Sequence, residues 1–168
     1  SVDTRNVEAT VNQIMELERL GCEIIRVAVP DNAAANAIRE IRDRIRIPLI
    51  ADIHFNYRLA LKAMSQGADG IRINPGNISR EGIKKIIGMA KENRKVIRIG
   101  INAGSLSKET IHRHGGPTVD ALVENAMQNI QLAESLDFEN IKLSLKSSDV
   151  ATTIDAYRLI AQQTDHPL

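Results

Sequence analysis

The fold of this chain is decided by the stretch IRINPGN at residues 71–77 and by its near-copy IRIGINAGS at residues 97–105. Each stretch is rich in isoleucine and has an arginine near its start, an asparagine near its end and a glycine turn after it. Because side chains alternate between two faces along a strand, Arg72 and Asn74 share the face opposite to the isoleucines. Each stretch therefore predicts a strand with one aliphatic face and one polar face.

Three further runs alternate in the same way, at residues 23–30, 48–55 and 140–147. In an ordinary α/β sheet that is covered by helices on both faces, the strands read as continuous aliphatic runs. Here all five runs place polar or charged side chains on one common side. The pattern therefore favours a (β/α) barrel, in which the aliphatic side chains point outward to the helices and the other face lines the interior.

Segments with helical periodicity separate the strands. Six helices are predicted. Five begin at Asp3 or Thr4, Asp31 or Asn32, Ser79, Thr118, and Ser148 or Asp149, and the third in chain order begins near Tyr57. The longest connection, residues 103–117, contains three glycines and two histidines and is predicted to be a loop. Strands that alternate with helices predict parallel βαβ units with right-handed crossovers.

The number of strands is too small for a closed barrel, which has about eight. This sequence offers five, begins on a helix, and ends with Pro167 and Leu168, a pair that resembles Pro48 and Leu49 at the start of an earlier strand. We therefore predict a single α/β domain over residues 1–168, a partial TIM barrel that lacks the first strand and the last strands. Its open edges predict self-association.

Composition restricts the kind of partner. The net charge is +1 and only 2% of residues are aromatic, so neither a nucleic acid nor a membrane partner is favoured. No apolar run approaches about 18 residues and no signal peptide is visible, so a cytoplasmic protein is expected. The single cysteine, Cys22, excludes a disulfide within the chain and is interpreted as a small buried residue. His112 and His114 lie two residues apart without an evident third ligand, so no metal site is expected and a solvated loop is favoured.

Cations recur at comparable places in four of the predicted strands, and they are Arg26, Arg72, Arg98, Lys142 and Lys146. Active sites of (β/α) barrels lie at the C-terminal ends of the strands, and converging cations there indicate an anionic ligand such as a phosphate or diphosphate. The alternative is that each arginine pairs with a carboxylate inside the fold. Asp52 could satisfy only one or two of them.

The other polar residues of this face leave more alternatives open. Asp52 and His54 point the same way and are candidate catalytic residues, for proton handling or for orienting a ligand; alternatively, His54 is a satisfied core imidazole. Asn74 and Asn102 could bind ligand hydroxyls or phosphate oxygens, or else cap the turns that follow them. A lysine on the last strand could instead form a Schiff base, as in barrel aldolases.

Six motifs resemble one enzyme family when they are taken together. They are DTR at 3–5, GCEIIRVAVP at 21–30, PLIADIHF at 48–55, the two stretches quoted first, and KLSLKSSDV at 142–150. In this order they are similar to the 4-hydroxy-3-methylbut-2-enyl diphosphate synthase family of the non-mevalonate isoprenoid pathway. The resemblance covers essentially the whole chain and implies the N-terminal (β/α) barrel of that family.

The resemblance also implies a reaction. The family are oxidoreductases that reductively open 2-C-methyl-D-erythritol 2,4-cyclodiphosphate, using a [4Fe-4S] cluster and electrons from flavodoxin or ferredoxin. By resemblance, the diphosphate ligands are Arg26, Arg72 and Arg98, joined by Asn102 and by Lys142 or Lys146. Asp52 would contact the carbon skeleton of the substrate, and His54 is a further assignment.

One departure from the family pattern limits what this chain is expected to do alone. The family holds its cluster with three cysteines and a glutamate in a C-terminal domain, and Cys22 matches none of them. The resemblance therefore implies that the iron-sulfur domain is absent, and that in the homodimeric parent the cluster domain of one subunit covers the barrel of the other. The chain alone is expected to be inactive. The alternatives are a phosphosugar aldolase-like barrel and a non-catalytic, self-associating fragment.

Overall fold

Five parallel strands form one sheet in the computed structural model, which describes residues 2–168. The strands are β1 Ile25–Ala28, β2 Leu49–Ile53, β3 Gly70–Ile73, β4 Val96–Asn102 and β5 Ile141–Lys146. Each strand pairs with its neighbours in sequence, so the order across the sheet is β1-β2-β3-β4-β5. This sequential parallel order is that of a (β/α) barrel. The five predicted strands are confirmed.

Seven α-helices accompany these strands within residues 2–168, one more than predicted. They are α1 Val7–Arg19, α2 Asn32–Arg44, α3 Tyr57–Ser65, α4 Arg80–Glu92, α5 Lys108–His114, α6 Val119–Glu134 and α7 Val150–Ile160. Short 3-10 turns follow β3, at Pro75–Asn77, and β4, at Ala103–Ser105.

The additional helix is α5, in the segment that was predicted to be a loop, so this part of the prediction is wrong. Ser107 caps its N-terminus by accepting a hydrogen bond from the Thr110 amide. Gly115 ends it in the left-handed conformation, with φ of 67°. The glycines that suggested a loop therefore mark the boundary of a short helix.

Side-chain caps fix the starts of most other helices. The predicted caps at Asp31, Ser79, Thr118 and Asp149 are confirmed. For α1 the prediction is wrong, because Asn6 accepts the amide of Ala9 instead. The residues that were expected to cap α1 have other partners: Asp3 binds Arg5, and the Thr4 hydroxyl donates to the carbonyl of Ala28 at 2.7 Å on β1.

The core lies between the sheet and the helices. The aliphatic faces of the strands are buried there, with Ile71 0%, Ile97 1% and Leu143 0% exposed, against α-helical residues such as Ile86 and Leu122. The opposite face of the sheet carries the charged side chains. The predicted division into an aliphatic outer face and a polar inner face is confirmed.

The end of the described chain lies beside β5. The amide of Leu143 donates to the carbonyl oxygen of Pro167 at 2.8 Å, as the amide of Ile25 on β1 donates to that of Pro48 at 3.0 Å. Pro167 therefore stands beside β5 much as Pro48 stands beside β1, in agreement with the predicted likeness of the two pairs. Among residues 2–168, no helix is both long and apolar enough to cross a membrane.

Candidate functional site

The register of the sheet brings four polar residues side by side. Ala28 on β1 is aligned in turn with Asp52, Arg72, Arg98 and Lys142 on the next four strands. The row lies one residue before the C-terminal ends of β2 and β3. Because aligned residues of neighbouring strands point to the same face, their side chains converge on one patch, called here the cationic face.

Asp52 is the carboxylate around which the cationic face is arranged. The residue is only 9% exposed. Its Oδ1 accepts a hydrogen bond from Nη1 of Arg72 at 3.1 Å, and its Oδ2 lies 3.3 Å from Nε of Arg26. Arg26 is aligned with Ile50 rather than with Asp52, so its long side chain reaches across from two residues lower in the sheet. The predicted alternative of internal ion pairs thus accounts for these two arginines.

Three cations of the face have no carboxylate partner within residues 2–168. Nε of Arg98 donates only to the hydroxyl of Ser144, at 3.4 Å. Lys142 and Lys146 are exposed on β5, and neither forms an ion pair in the described chain. Since Asp52 is occupied by two arginines, positive charge is concentrated on the β4 and β5 side. An anion placed there would meet several unpaired cations.

The two predicted asparagines differ in their surroundings. Asn74 is 3% exposed, and its Oδ1 accepts the Gly76 amide at 3.0 Å while its Nδ2 donates to the Ser105 hydroxyl at 2.8 Å. Ser105 in turn donates to the carbonyl oxygen of Asn102 at 2.9 Å. Asn74 therefore ties together the turns after β3 and β4, whereas the side chain of Asn102 makes no hydrogen bond within residues 2–168.

His54 lies at the rim of the cationic face rather than in the core. Its side chain is 58% exposed, and Nε2 is 3.7 Å from Oδ1 of Asp52. Beside it, Phe55 is 71% exposed. The two residues border a small, mostly apolar cavity of about 220 Å³ that is also lined by Pro30 and Leu59. His54 is thus accessible to a ligand that enters from the rim.

An ion cluster fastens α5 to α6. Glu124 on α6 contacts both His114 and Arg113 on α5. The hydrogen bond from His114, aided by the charge of Arg113, lowers the pKa of the Glu124 carboxyl below its ordinary value of 4.5. Glu124 is therefore ionised at neutral pH. The interpretation of this histidine as part of a solvated loop is wrong, because the loop is a helix whose end is held by this pair.

A larger cavity of about 660 Å³ lies outside the cationic face. It opens between α4 and α6, behind the turns Pro75–Asn77 and Ala103–Ser105, and is lined mainly by amides and hydroxyls. Its lining includes one charged side chain, that of Arg80, and none of the predicted site residues. An anionic ligand has more charge to meet on the cationic face than here.

Comparison with known proteins places the fold in a family. The model of the GcpE TIM-barrel domain matches residues 1–168. The chain belongs to the GcpE TIM-barrel domain family. The partial TIM barrel that the sequence predicts is therefore confirmed, and so is the predicted family.

Curated relatives of this GcpE barrel domain carry one enzyme name. It is 56% identical to the 4-hydroxy-3-methylbut-2-en-1-yl diphosphate synthase (flavodoxin) of Thermodesulfovibrio yellowstonii, over 99% of this chain and 48% of that protein. It is also 56% identical to the protein of the same name from Caldanaerobacter subterraneus, over 100% of this chain and 48% of that one. The GcpE barrel domain thus spans about half the length of the curated relatives it matches.

Solved structures with low identity support the fold alone. Dihydropteroate synthase from Xanthomonas albilineans in complex with 7,8-dihydropteroate matches the GcpE barrel domain with a TM-score of 0.61 at 15% identity, over 94% of this chain and 58% of that one. For 3-keto-L-gulonate-6-phosphate decarboxylase from Vibrio cholerae the TM-score is 0.52 at 17% identity, over 96% and 95% of the two chains.

Sequence reasoning missed three residues that shape the cationic face: Gly100, Ser105 and Ser144. The two serines hold Asn74 and Arg98, respectively. The alternation of side chains along β5 placed Ser144 on the polar face with Lys142 and Lys146, but nothing in the pattern showed that it contacts Arg98. Gly100 interrupts an otherwise regular strand, and that interruption is the one signal that could have found it.

Proposed function

We propose that this domain is the substrate-binding barrel of an enzyme that converts 2-C-methyl-D-erythritol 2,4-cyclodiphosphate to 4-hydroxy-3-methylbut-2-enyl diphosphate. The observation that carries the proposal is the group of unpaired cations on β4 and β5, in a domain 56% identical to enzymes named for that product. Arg98, Lys142 and Lys146 would bind the diphosphate, and Asn102 would donate its free amide to a phosphate oxygen. Arg26 and Arg72 complete the positive surface.

The chemistry of the conversion favours such a surface. Opening the ring breaks one of the two carbon–oxygen bonds that tie the diphosphate to the carbon skeleton, and the other bond keeps it attached. The conversion also takes up two electrons from an external reductant and one proton, and one substrate hydroxyl leaves as water. The diphosphate thereby changes from a cyclic diester to a terminal monoester and gains negative charge. Cations that lack an internal carboxylate partner stabilise the charge that develops. This accounts for the excess of cations over Asp52 on the face.

Asp52 and His54 would act on the carbon skeleton rather than on the diphosphate. Asp52 holds Arg72 and lies next to His54, so it can orient both. The exposed imidazole of His54 can give or take a proton at the rim of the face. We therefore assign to His54 the transfer of a proton to or from a substrate oxygen. Asp52 would orient His54 and Arg72.

The reducing group would be supplied from outside these residues. A [4Fe-4S] cluster, which provides the electrons for ring opening when bound, is held mainly by cysteine thiolates. This chain has one cysteine, and no group of three His, Cys, Asp or Glu side chains in its described part could hold a metal ion. The residues present do not fit the cluster, so no electron-transfer step is assigned to them; their proposed roles are binding, orientation and the proton assigned to His54.

The partners follow from the same proposal. The names of the relatives include flavodoxin, which we propose as the electron donor, with ferredoxin as the alternative, in a cytoplasmic enzyme. We also propose a homodimer. Large apolar side chains are exposed on both flanks of the sheet. Leu20 and Ile24 lie beside β1, and Val150 and Ile154 lie in the first half of α7, the helix that follows β5. Such exposure supports association through these flanks.

The aldolase-like alternative has less support. A Schiff-base lysine is made reactive by a desolvated pocket or by a second nearby cation. Lys142 is aligned with Arg98 and so has a nearby cation, but desolvation is lacking. Lys142 and Lys146 are both exposed, and neither lies in an enclosed cavity. Borohydride trapping with phosphosugars tests this alternative directly, and a covalent adduct on either lysine would favour it.

The proposal is tested by calorimetric titration of the cyclodiphosphate into the full-length protein that carries this domain. Removing one charge-assisted hydrogen bond costs about 1.5–3 kcal/mol, so we expect Arg98→Ala to weaken binding about 10- to 100-fold. The matched control is Arg46→Ala, an exposed arginine at the opposite end of the sheet that pairs with no carboxylate in residues 2–168. Equal affinities for the two variants, or no binding by the unmodified protein, would contradict the proposal.

A further inference from the structure

Gly100 lies directly against the guanidinium of Arg72 on the cationic face. It lies on β4 two residues after Arg98, so a side chain at this position would point to the same face of the sheet. A Cβ atom added at Gly100 would lie 2.9 Å from both Nε and Nη2 of Arg72, and 3.2 Å from Cζ. A side chain at position 100 therefore requires the guanidinium of Arg72 to move from where it lies.

The backbone at Gly100 does not itself require glycine. Its φ lies outside the left-handed region, in contrast to Gly21, Gly67, Gly115 and Gly116. Glycine inside a strand costs stability and often marks a close approach of another group. What glycine contributes here is therefore room for the guanidinium of Arg72.

That space decides which edge of Arg72 is available. On the β2 side, Nη1 donates to Asp52. On the β4 side, Nε and Nη2 lie over Gly100 and donate no hydrogen bond within residues 2–168, yet neither is sealed from solvent. The Nε–Nη2 edge of a guanidinium matches two oxygens of a phosphate in a bidentate pair. With a side chain of only 16% exposure, Arg72 presents this edge from a well-shielded position.

We propose that Gly100 is a positioning residue, which holds the Nε–Nη2 edge of Arg72 toward β4 so that it binds one phosphate together with Arg98. The identity of the ligand rests on the proposed function. The arrangement itself, with Asp52 on one side of the guanidinium and Gly100 on the other, does not. A methyl group at position 100 displaces the guanidinium, because the end of the flexible Arg72 side chain is what yields, and this changes both its contact with Asp52 and the direction of its Nε–Nη2 edge.

The first test is the affinity of the full-length protein for the cyclodiphosphate, measured by calorimetry. We expect Gly100→Ala to raise Kd about 10-fold or more, the size expected for losing a charge-assisted pair. Gly88→Ala is the matched control, because Gly88 lies exposed on α4 and an added Cβ there meets nothing within 4 Å. An unchanged affinity in Gly100→Ala overturns the proposal.

A double-mutant cycle separates positioning from general damage. If Gly100 acts through Arg72, then Gly100→Ala changes Kd less than about 2-fold in an Arg72→Ala background. A loss of the same size in both backgrounds overturns the proposal, because it would show that position 100 affects binding without Arg72.

The same cycle, read by urea unfolding without ligand, keeps the inference independent of the proposed function. We expect Gly100→Ala to lower the unfolding midpoint when Arg72 is present, and to leave the midpoint unchanged or higher when residue 72 is alanine, because glycine inside a strand costs stability. If the unmodified protein does not bind the cyclodiphosphate, the proposed function fails, and this coupling still decides the role of Gly100. If Gly100→Ala does not fold, Arg72→Lys/Gly100→Ala must fold, since the slimmer lysine leaves room for the methyl group; failure of both overturns the proposal.

Discussion

Gly76→Ala is expected to be among the most destabilised single variants of this domain, with a loss of about 3 kcal/mol in the free energy of unfolding. A Cβ atom on Gly76 would overlap the backbone carbonyl oxygen of Ser105, and would lie 3.2 Å from its Cβ. A backbone oxygen cannot rotate away as a side chain can. The two turns after β3 and β4 must therefore separate.

Separation of the turns also breaks the contacts of Asn74. This buried side chain bonds to the Gly76 amide on one turn and to the Ser105 hydroxyl on the other. An amide left without partners in the interior adds its own cost of about 1–3 kcal/mol, although part of it overlaps with the first loss. We therefore expect the variant to lose stability and the alignment of the C-terminal ends of β3 and β4 together.

Urea unfolding followed by circular dichroism measures this loss. The matched control is Gly104→Ala, in the second of the two turns, where an added Cβ meets nothing within 4 Å. We expect the control to stay within about 0.5 kcal/mol of the unmodified protein. If the two variants unfold at the same urea concentration, the close approach of the turns does not contribute as described.

Asp52→Asn is expected to have the second large effect, a loss of about 2 kcal/mol in unfolding free energy at low salt. The substitution keeps the shape of the side chain and removes the charge that Arg26 and Arg72 share. We place the loss below the range for a fully buried pair, because the side chain of Arg26 is 50% exposed. The remaining cations of the face then repel one another without a carboxylate between them.

Salt and ligand distinguish this repulsion from other causes. At about 0.5 M salt the Debye length falls to a few ångströms, so the Tm deficit of Asp52→Asn should shrink. Diphosphate should raise the Tm of Asp52→Asn more than that of the unmodified protein, because the anion replaces the missing charge. The control is Asp43→Asn, an exposed carboxylate on α2. A Tm deficit that is independent of salt would contradict this account.

Much of the fold could be predicted because it is periodic. Alternation along five strands revealed the two faces of the sheet, and short polar residues before apolar stripes revealed caps such as Ser79 and Thr118. Periodicity failed for α5, which has 7 residues and too few turns to show a stripe. It also failed at the start of α1, where Thr4 binds the β1 carbonyl of Ala28 instead of capping.

The candidate site could be predicted in its residue types but not in its pairing. The alternation of side chains along each strand placed Asp52, Arg72 and Arg98 on one face, and the register of the sheet confirms that they lie in one row. Which arginine holds the carboxylate depends on side-chain length and strand register, and neither can be read along a single strand. Arg98, for example, donates to the hydroxyl of Ser144, which lies on the neighbouring strand β5.

The lysines of β5 and the arginine of β3 differ in their exposure to solvent. This difference affects the rates at which an anion associates and dissociates. Lys142 and Lys146 are exposed, whereas Arg72 is shielded between Asp52 and Gly100. Exposed charges of one sign steer an approaching anion and raise its association rate constant, while a shielded, oriented donor slows its departure. Under the proposed function, capture of the diphosphate would thus fall mainly to β5 and its retention to β3.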